Sequence, residues 1–237
     1  MAMTKKLQVY ETPQIAVSFD PNVCRHTGVC VRSLPAVFDV RRARWIRPEL
    51  EPADEVAAAV QKCPSGALQF YRNLDRNPAA AARLARRVLA NELALCLAET
   101  GTREARAGAI CSAIARTRGY DYVGLYDVLP REIAAVGWSG NTPPAHPVFE
   151  RERGLCGVAV RTSQTQIVND VAEDSNYITT SAATQAEMIV PVVDPASREV
   201  VGTIDVASNR RDAFGGDDRD LVEECGRVIL SFWTEQA

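Results

Sequence analysis

Cys24-Arg-His-Thr-Gly-Val-Cys30, completed by Cys63-Pro-Ser-Gly-Ala67, is the stretch from which the rest of the chain is read. Two thiols six positions apart on a glycine-bearing loop, with a third directly before a proline, suit an iron–sulfur cluster: loop amides turn toward the sulfurs and the proline leads the chain away. A four-iron cubane takes four protein ligands, and this region supplies three cysteines. Core thiols or a zinc site are the plainer alternatives.

The flanking residues frame a small domain over 1–75. Gln14 to Asp20 alternates in the strand period, with Ile15, Val17 and Phe19 on one face, and Pro21-Asn22 ends it. Arg44 to Arg47 reads as a returning strand. Pro52 to Val60 reads as a helix, with proline and two acids in its first turn and alanine in its body, and its end delivers Cys63. Arg41, Arg42, Arg44 and Arg47 form a basic run that suits either an acidic redox partner or simple solvation.

The spaced elements Cys24-x5-Cys30, Leu34 to Asp39 and Cys63-Pro-Ser-Gly-Ala-Leu68 resemble the single-cluster bacterial ferredoxins, above all the divergent mono-cluster family and the three-iron ferredoxins that serve cytochromes P450. The resemblance spans roughly residues 14–71 and implies one bound cluster on Cys24, Cys30 and Cys63. In ordinary members the second ligand falls at position 27, which is Thr27 here. Three readings stay open: a [3Fe-4S] cluster on three thiolates, a [4Fe-4S] cluster with His26 as fourth ligand, or one with an iron open to water or a small ligand. His26 has a plainer role too, as a loop histidine that hydrogen-bonds a cluster sulfur or solvent.

Asn73 to Pro78 is polar and turn-forming, which sets a second domain over 76–237. A helix is expected over 79–98, with Leu84, Val88, Asn91 and Leu95 on one stripe and Leu89, Leu93 and Cys96 beside it; so wide a stripe asks for a sheet or a sister helix in a homodimer. A second helix follows from Arg103 to Thr117, capped by Thr102. Strands are expected at 121–128, 132–138, 165–170, 187–193 and 200–207, with a hairpin connection at 194–199 and a closing helix over 217–233. The order gives an α+β class: an antiparallel sheet sandwiched by helices, behind a small ferredoxin-like domain.

Arg153-Gly-Leu-Cys-Gly-Val-Ala159, Gln166 to Val171, Glu187-Met-Ile-Val-Pro191 and Val201-Gly-Thr-Ile-Asp-Val206 resemble the GAF domain over about 80–235. Within it the resemblance points to the free methionine-(R)-sulfoxide reductases. It implies a supporting cysteine at Cys156, a site glutamate at Glu187 and the first of two aspartates at Asp205, with Asp170 among the pocket candidates. The catalytic cysteine's position is Thr180 and the second aspartate's is Ala207. A hydroxyl cannot attack a sulfoxide and then resolve as a disulfide, so reductase activity is expected to be absent and a small-ligand pocket to remain. The polar 172–186 segment is expected to close over that ligand.

Composition narrows the classes further. Over 237 residues, 46% hydrophobic and 24% charged content is that of an ordinary globular protein, and a net charge of −3 gives no argument for nucleic acid or membrane binding. No run reaches the roughly 18 apolar residues of a membrane span, and the start lacks an apolar signal core, so a cytoplasmic location is expected. Seven irregularly spaced cysteines agree with reduced thiols plus a metal site. Together these imply a redox or small-molecule sensor that passes its signal to a redox partner or regulatory protein. An electron carrier with a docking or dimerising GAF domain is the second reading, and a cluster-fed reductase the third.

Overall fold

The computed structural model describes residues 5–72, 78–140, 143–178 and 181–235. Its contacts divide the chain into two compact units, Met1–Asn91 and Glu92–Ala237.

The first unit is built on a three-stranded antiparallel sheet in the order β1–β2–β3, with β1 at Gln8–Glu11, β2 at Ile15–Phe19 and β3 at Leu68–Arg72. All five β2 residues are buried, although only Ile15, Val17 and Phe19 follow the expected apolar alternation. Those three join Phe38, Ile46 and the helix α2, Ala53–Gln61, in the core. The small residues between them face the helix α3, Pro78–Ala98: Leu84 packs on Ala16 and Tyr71, and Arg87 donates to the Ser18 hydroxyl at 3.0 Å. The first two thirds of α3, Pro78 to Asn91, therefore belong to the first compact unit. Val88, placed on its apolar stripe, is exposed, whereas Leu93 is fully buried.

The segment 44–47 does not form a strand. Ile46 makes a single bridge to Phe38, and Pro48, which has no N–H to donate, opens a 3-10 turn at Pro48–Leu50. The free edge of β2 is instead taken by β3, in register from Ile15↔Arg72 to Phe19↔Leu68. The basic run is half compensated: Arg41 and Arg42 pair with Asp39, and Arg44 and Arg47 with Glu49.

The second unit carries a six-stranded antiparallel sheet in the order β6–β5–β4–β9–β8–β7. Its strands are β4 Tyr122–Val128, β5 Glu132–Trp138, β6 Val148–Glu150, β7 Gln166–Val168, β8 Ala186–Val193 and β9 Val200–Ser208. The helix α4, Arg103–Arg118, starts at Thr102, whose hydroxyl accepts from the Ala105 N–H, and ends at Gly119 in the left-handed conformation. It lies so close on β5 that a Cβ at Gly137 would come within 2.7 Å of the Ala107 Cβ and 2.9 Å of the Gly108 nitrogen. The helix α6, Gly216–Val228, packs on β8 through Gly226 and Val192, and a short helix α7, Ser231–Thr234, completes the segment expected as one helix. The opposite sheet face is covered by α5, Gly154–Thr162. The sequence around Cys156 is thus the start of a helix.

Candidate functional site

The three N-terminal thiols line one pocket of about 560 Å³ in the first unit. Cys24 follows β2 on a loop that two left-handed residues, His26 at φ 52° and Gly28 at φ 70°, curl back on itself. The loop feeds the one-and-a-half-turn helix α1, Val29–Ser33, which carries Cys30, while Cys63 lies just beyond the end of α2. All three are half-buried free thiols.

Local donors converge on the sulfurs. The His26 N–H donates to Cys24 Sγ at 3.5 Å, and the His26 ring Nδ1 lies 3.9 Å from the same sulfur. The Ser65 hydroxyl is 3.6 Å from Cys63 Sγ, with Gly66 at φ 68° turning the chain beneath it. Burial pushes the Cys63 thiol up, but the hydroxyl and the N–H groups of Leu68, Ser65 and Ala67 outweigh it, so its pKa is lowered. Burial raises Cys30, and the neighbouring Cys63 and Cys24 sulfurs add to that rise. Thr27 stands at the mouth, its carbonyl accepting from the Arg32 guanidinium at 3.0 Å.

This donor set fits an iron–sulfur cluster. Three thiols on the wall of a roomy pocket, with amides directed at sulfur, suit a polynuclear sulfide group. Among the described residues no three His, Cys, Asp or Glu side chains close around a single metal ion.

A second candidate lies between the sheet and α5 of the second unit, around a cavity of about 30 Å³. Tyr126, Thr203, Asp205, Ile189 and Glu187 share one sheet face: Tyr126 pairs with Thr203, Asp205 with Ile189, and Glu187 with Ala207. Gly124, opposite Asp205, leaves room for the Tyr122 ring, whose hydroxyl meets that of Tyr126 at 2.9 Å; a Cβ at Gly124 would lie 2.5 Å from the Tyr122 oxygen. Cys156 descends from α5 into this wall, and Ile178 and His146 close it from above.

Asp205 Oδ1 is buried without a hydrogen-bond partner. Burial, with the Glu187 carboxyl beside it, raises the Asp205 pKa well above the carboxylate range. Burial, then Asp205 and Glu187, raise the Cys156 thiol in the same way, so Cys156 is a protonated thiol rather than a nucleophilic thiolate.

Cys156, Glu187 and Asp205 are thus brought together. Asp170 is not: it caps the 3-10 turn Val171–Glu173, accepting from the Ala172 N–H, and pairs with Arg211 at 3.1 Å, because the residue after β7 is where the chain needs a cap. Position 180 lies outside the described residues. Tyr126 and Ile178 line the cavity without having been singled out in the sequence, and Tyr122, at the even spacing that puts two strand residues on one face, holds the Tyr126 hydroxyl.

Fold and sites together define an iron–sulfur domain followed by a sheet-and-helix domain. The chain belongs to two families in tandem: residues 10–73 match the divergent 4Fe-4S mono-cluster family, and residues 100–229 match the GAF domain family. Its first part is similar to the uncharacterized protein YjdI of Escherichia coli K12, 36% identical over 61 residues, 26% of this chain and 80% of that one. Its second part is similar to the free methionine-R-sulfoxide reductase of the same organism, 31% identical over 83 residues, 33% of this chain and 49% of the reductase. The chain thus spans about half the length of that enzyme. The solved free methionine-R-sulfoxide reductase of Neisseria meningitidis, in complex with its substrate, superposes with a TM-score of 0.57 at 22% identity over 65% of this chain and 90% of that one, a likeness of fold. No helix among the described residues is long and apolar enough to cross a membrane.

Proposed function

We propose that the protein is a cytoplasmic redox-responsive regulator that binds one three-thiolate iron–sulfur cluster and uses its GAF domain to sense or relay, without sulfoxide reductase activity. The single observation that carries the reading is the shared pocket of Cys24, Cys30 and Cys63, with Thr27 where a fourth thiolate belongs. Such a site suits a [3Fe-4S] cluster or a [4Fe-4S] cluster lacking one thiolate ligand. When bound, the cluster supplies a reversible one-electron change. The chain's own part is to hold it through three thiolates and to direct the His26 N–H and the Ser65 hydroxyl at two of the sulfurs, contacts that help set a potential.

The lost-activity half rests on the second cavity. At about 30 Å³ it is the share of one water molecule, and its thiol is held protonated. Position 180 carries a threonine. The unknown small ligand of this domain would therefore need the cavity to open, and Ile178 and His146 are the residues that would move. The test is incubation of the reconstituted protein with free methionine sulfoxide and a thiol or reduced-ferredoxin donor. No consumption is expected; turnover would refute the reading.

Electron carriage is the second reading, favoured by the open mouth of the cluster pocket. It is separated from regulation by hydrogen exchange: a regulator changes protection in the GAF unit between oxidised and reduced states, and a plain carrier does not.

A further inference from the structure

The mouth of the thiol pocket is basic in a chain that is acidic overall. Three arginines line it, Arg25, Arg32 and Arg42, and no carboxylate does, although Asp and Glu outnumber Lys and Arg by 30 to 27 in the whole sequence. The neighbouring run is partly compensated: Arg41, Arg44 and Arg47, with Arg42, share the two carboxylates of Asp39 and Glu49. Arg42 lies 3.3 Å from Asp39 as well. Arg25 and Arg32 differ, having no carboxylate within ion-pair distance among the described residues; Arg32 contacts a carbonyl, that of Thr27, and so keeps its full charge. The same pocket is lined by Val40, 69% exposed, the most exposed large hydrophobic side chain among the described residues. Two arginines without a carboxylate partner and an exposed apolar side chain, lining the same pocket as the three thiols, are the pattern of a surface that meets a complementary one.

We propose that this mouth is the docking face for an acidic one-electron protein, one that presents carboxylates around an apolar contact, with Arg25 and Arg32 steering the encounter and Val40 seating it. The inference rests on the reading of Cys24, Cys30 and Cys63 as cluster ligands. In the exchange one electron leaves the reduced partner and is taken up by the oxidised cluster, with no bond made or broken. The residues that orient the partner are not those expected from the sequence. The basic run at 41–47 shares Asp39 and Glu49, whereas the arginines without a carboxylate partner sit on the cysteine loop and on α1.

The test uses anaerobically reconstituted full-length protein in a stopped-flow instrument. Reduced flavodoxin serves as the acidic donor to the oxidised protein, and ferricytochrome c as the basic acceptor from the reduced one. The flavodoxin rate is expected to fall about tenfold as ionic strength rises from about 20 to about 200 mM, whereas the cytochrome rate rises. Arg25→Glu should lower the flavodoxin rate by about tenfold at low salt with iron content unchanged, and Arg44→Glu, the same charge change on the neighbouring run, should lower it by clearly less. Should Arg25→Glu fail to fold, Arg25→Gln and the salt dependence of the unmodified protein make the same test. A flavodoxin rate indifferent to salt and to Arg25, in protein that retains its iron, would overturn the docking face; a shift of potential alone would mean that the arginines only balance cluster charge, and would overturn it too. Protein that takes up no iron would overturn the cluster reading itself, and is recognised before any rate is measured.

Discussion

Glu187 and Asp205 stand diagonally across the β8–β9 pair, Glu187 opposite Ala207 and Asp205 opposite Ile189, so that two carboxyls share one buried face with no lysine or arginine among the residues that line their cavity. Two such groups cannot both ionise cheaply, and burial raises Asp205 further.

The pH dependence of stability follows. In the unfolded chain Asp205 loses its proton near about 3.9, whereas in the folded chain it holds it to a much higher pH. The folded state therefore binds more protons between those limits. The contribution of Asp205 is fully present below about pH 4 and is lost as pH rises toward its folded pKa. Asp205→Asn should stabilise the second unit by about 1–3 kcal/mol at pH 7.5 and flatten the fall between pH 5 and 7.5. Denaturant melts of both proteins across that range check it; parallel profiles would contradict it.

Gly137 is a packing requirement. Its missing side chain admits the backbone of α4 at Ala107 and Gly108, which cannot retreat without lifting the helix from β5. Gly137→Ala should cost about 1–3 kcal/mol, read as a lower denaturation midpoint. An unchanged midpoint would mean that α4 sits farther from the sheet.

His26 is expected to act on the cluster through a hydrogen bond rather than as a ligand. Its N–H already donates to Cys24 Sγ, and its ring stands 3.9 Å from the same sulfur. His26→Ala should keep its iron content and its EPR signals, and shift the reduction potential modestly, since the ring contact to sulfur is lost. Loss of iron would make His26 the fourth ligand.

Arg103 ties α4 to the sheet and to the chain's end at once. It forms two bonds to Asp127, of 2.6 and 2.7 Å, and its guanidinium lies 4.5 Å from the Phe232 ring centre. Arg103→Ala should cost about 2–4 kcal/mol, because Asp127 is left partly buried without its partner. Asp127→Asn should cost less, since an amide oxygen still accepts one of the two bonds. Thermal melts of both variants decide the order.

Period and turn chemistry made most elements legible. Thr102 and Gly119 bracket α4 as a side-chain cap and a left-handed stop, and the β8–β9 hairpin is fixed where the Asp194 carboxylate accepts from Ala196 and Ser197. The failures have physical causes. Residues 44–47 have strand composition, but their pairing depends on β3, which is distant in sequence, so the edge they would occupy was already filled. The stretch at 153–157 carries two glycines and reads as a turn. It nevertheless begins α5, because Gly157 allows the Glu152 backbone to approach within a distance that any side chain would forbid. For the sites, the three cysteines could be grouped from spacing and resemblance alone. The cavity's closure by Ile178 and His146, and the diversion of Asp170 into a cap and an ion pair, depend on the three-dimensional path of loops and carry no local signal.

The most direct test of the central claim is iron and sulfide analysis, with low-temperature EPR, of anaerobically isolated protein beside its cysteine variants. One cluster per chain is predicted. Most of it should be lost in each of Cys24→Ser, Cys30→Ser and Cys63→Ser, and it should be retained in Cys96→Ser, Cys111→Ser and Cys225→Ser, whose thiols are buried away from the pocket. A colourless, iron-free protein after anaerobic reconstitution, or an unaltered cluster in Cys63→Ser, would contradict it.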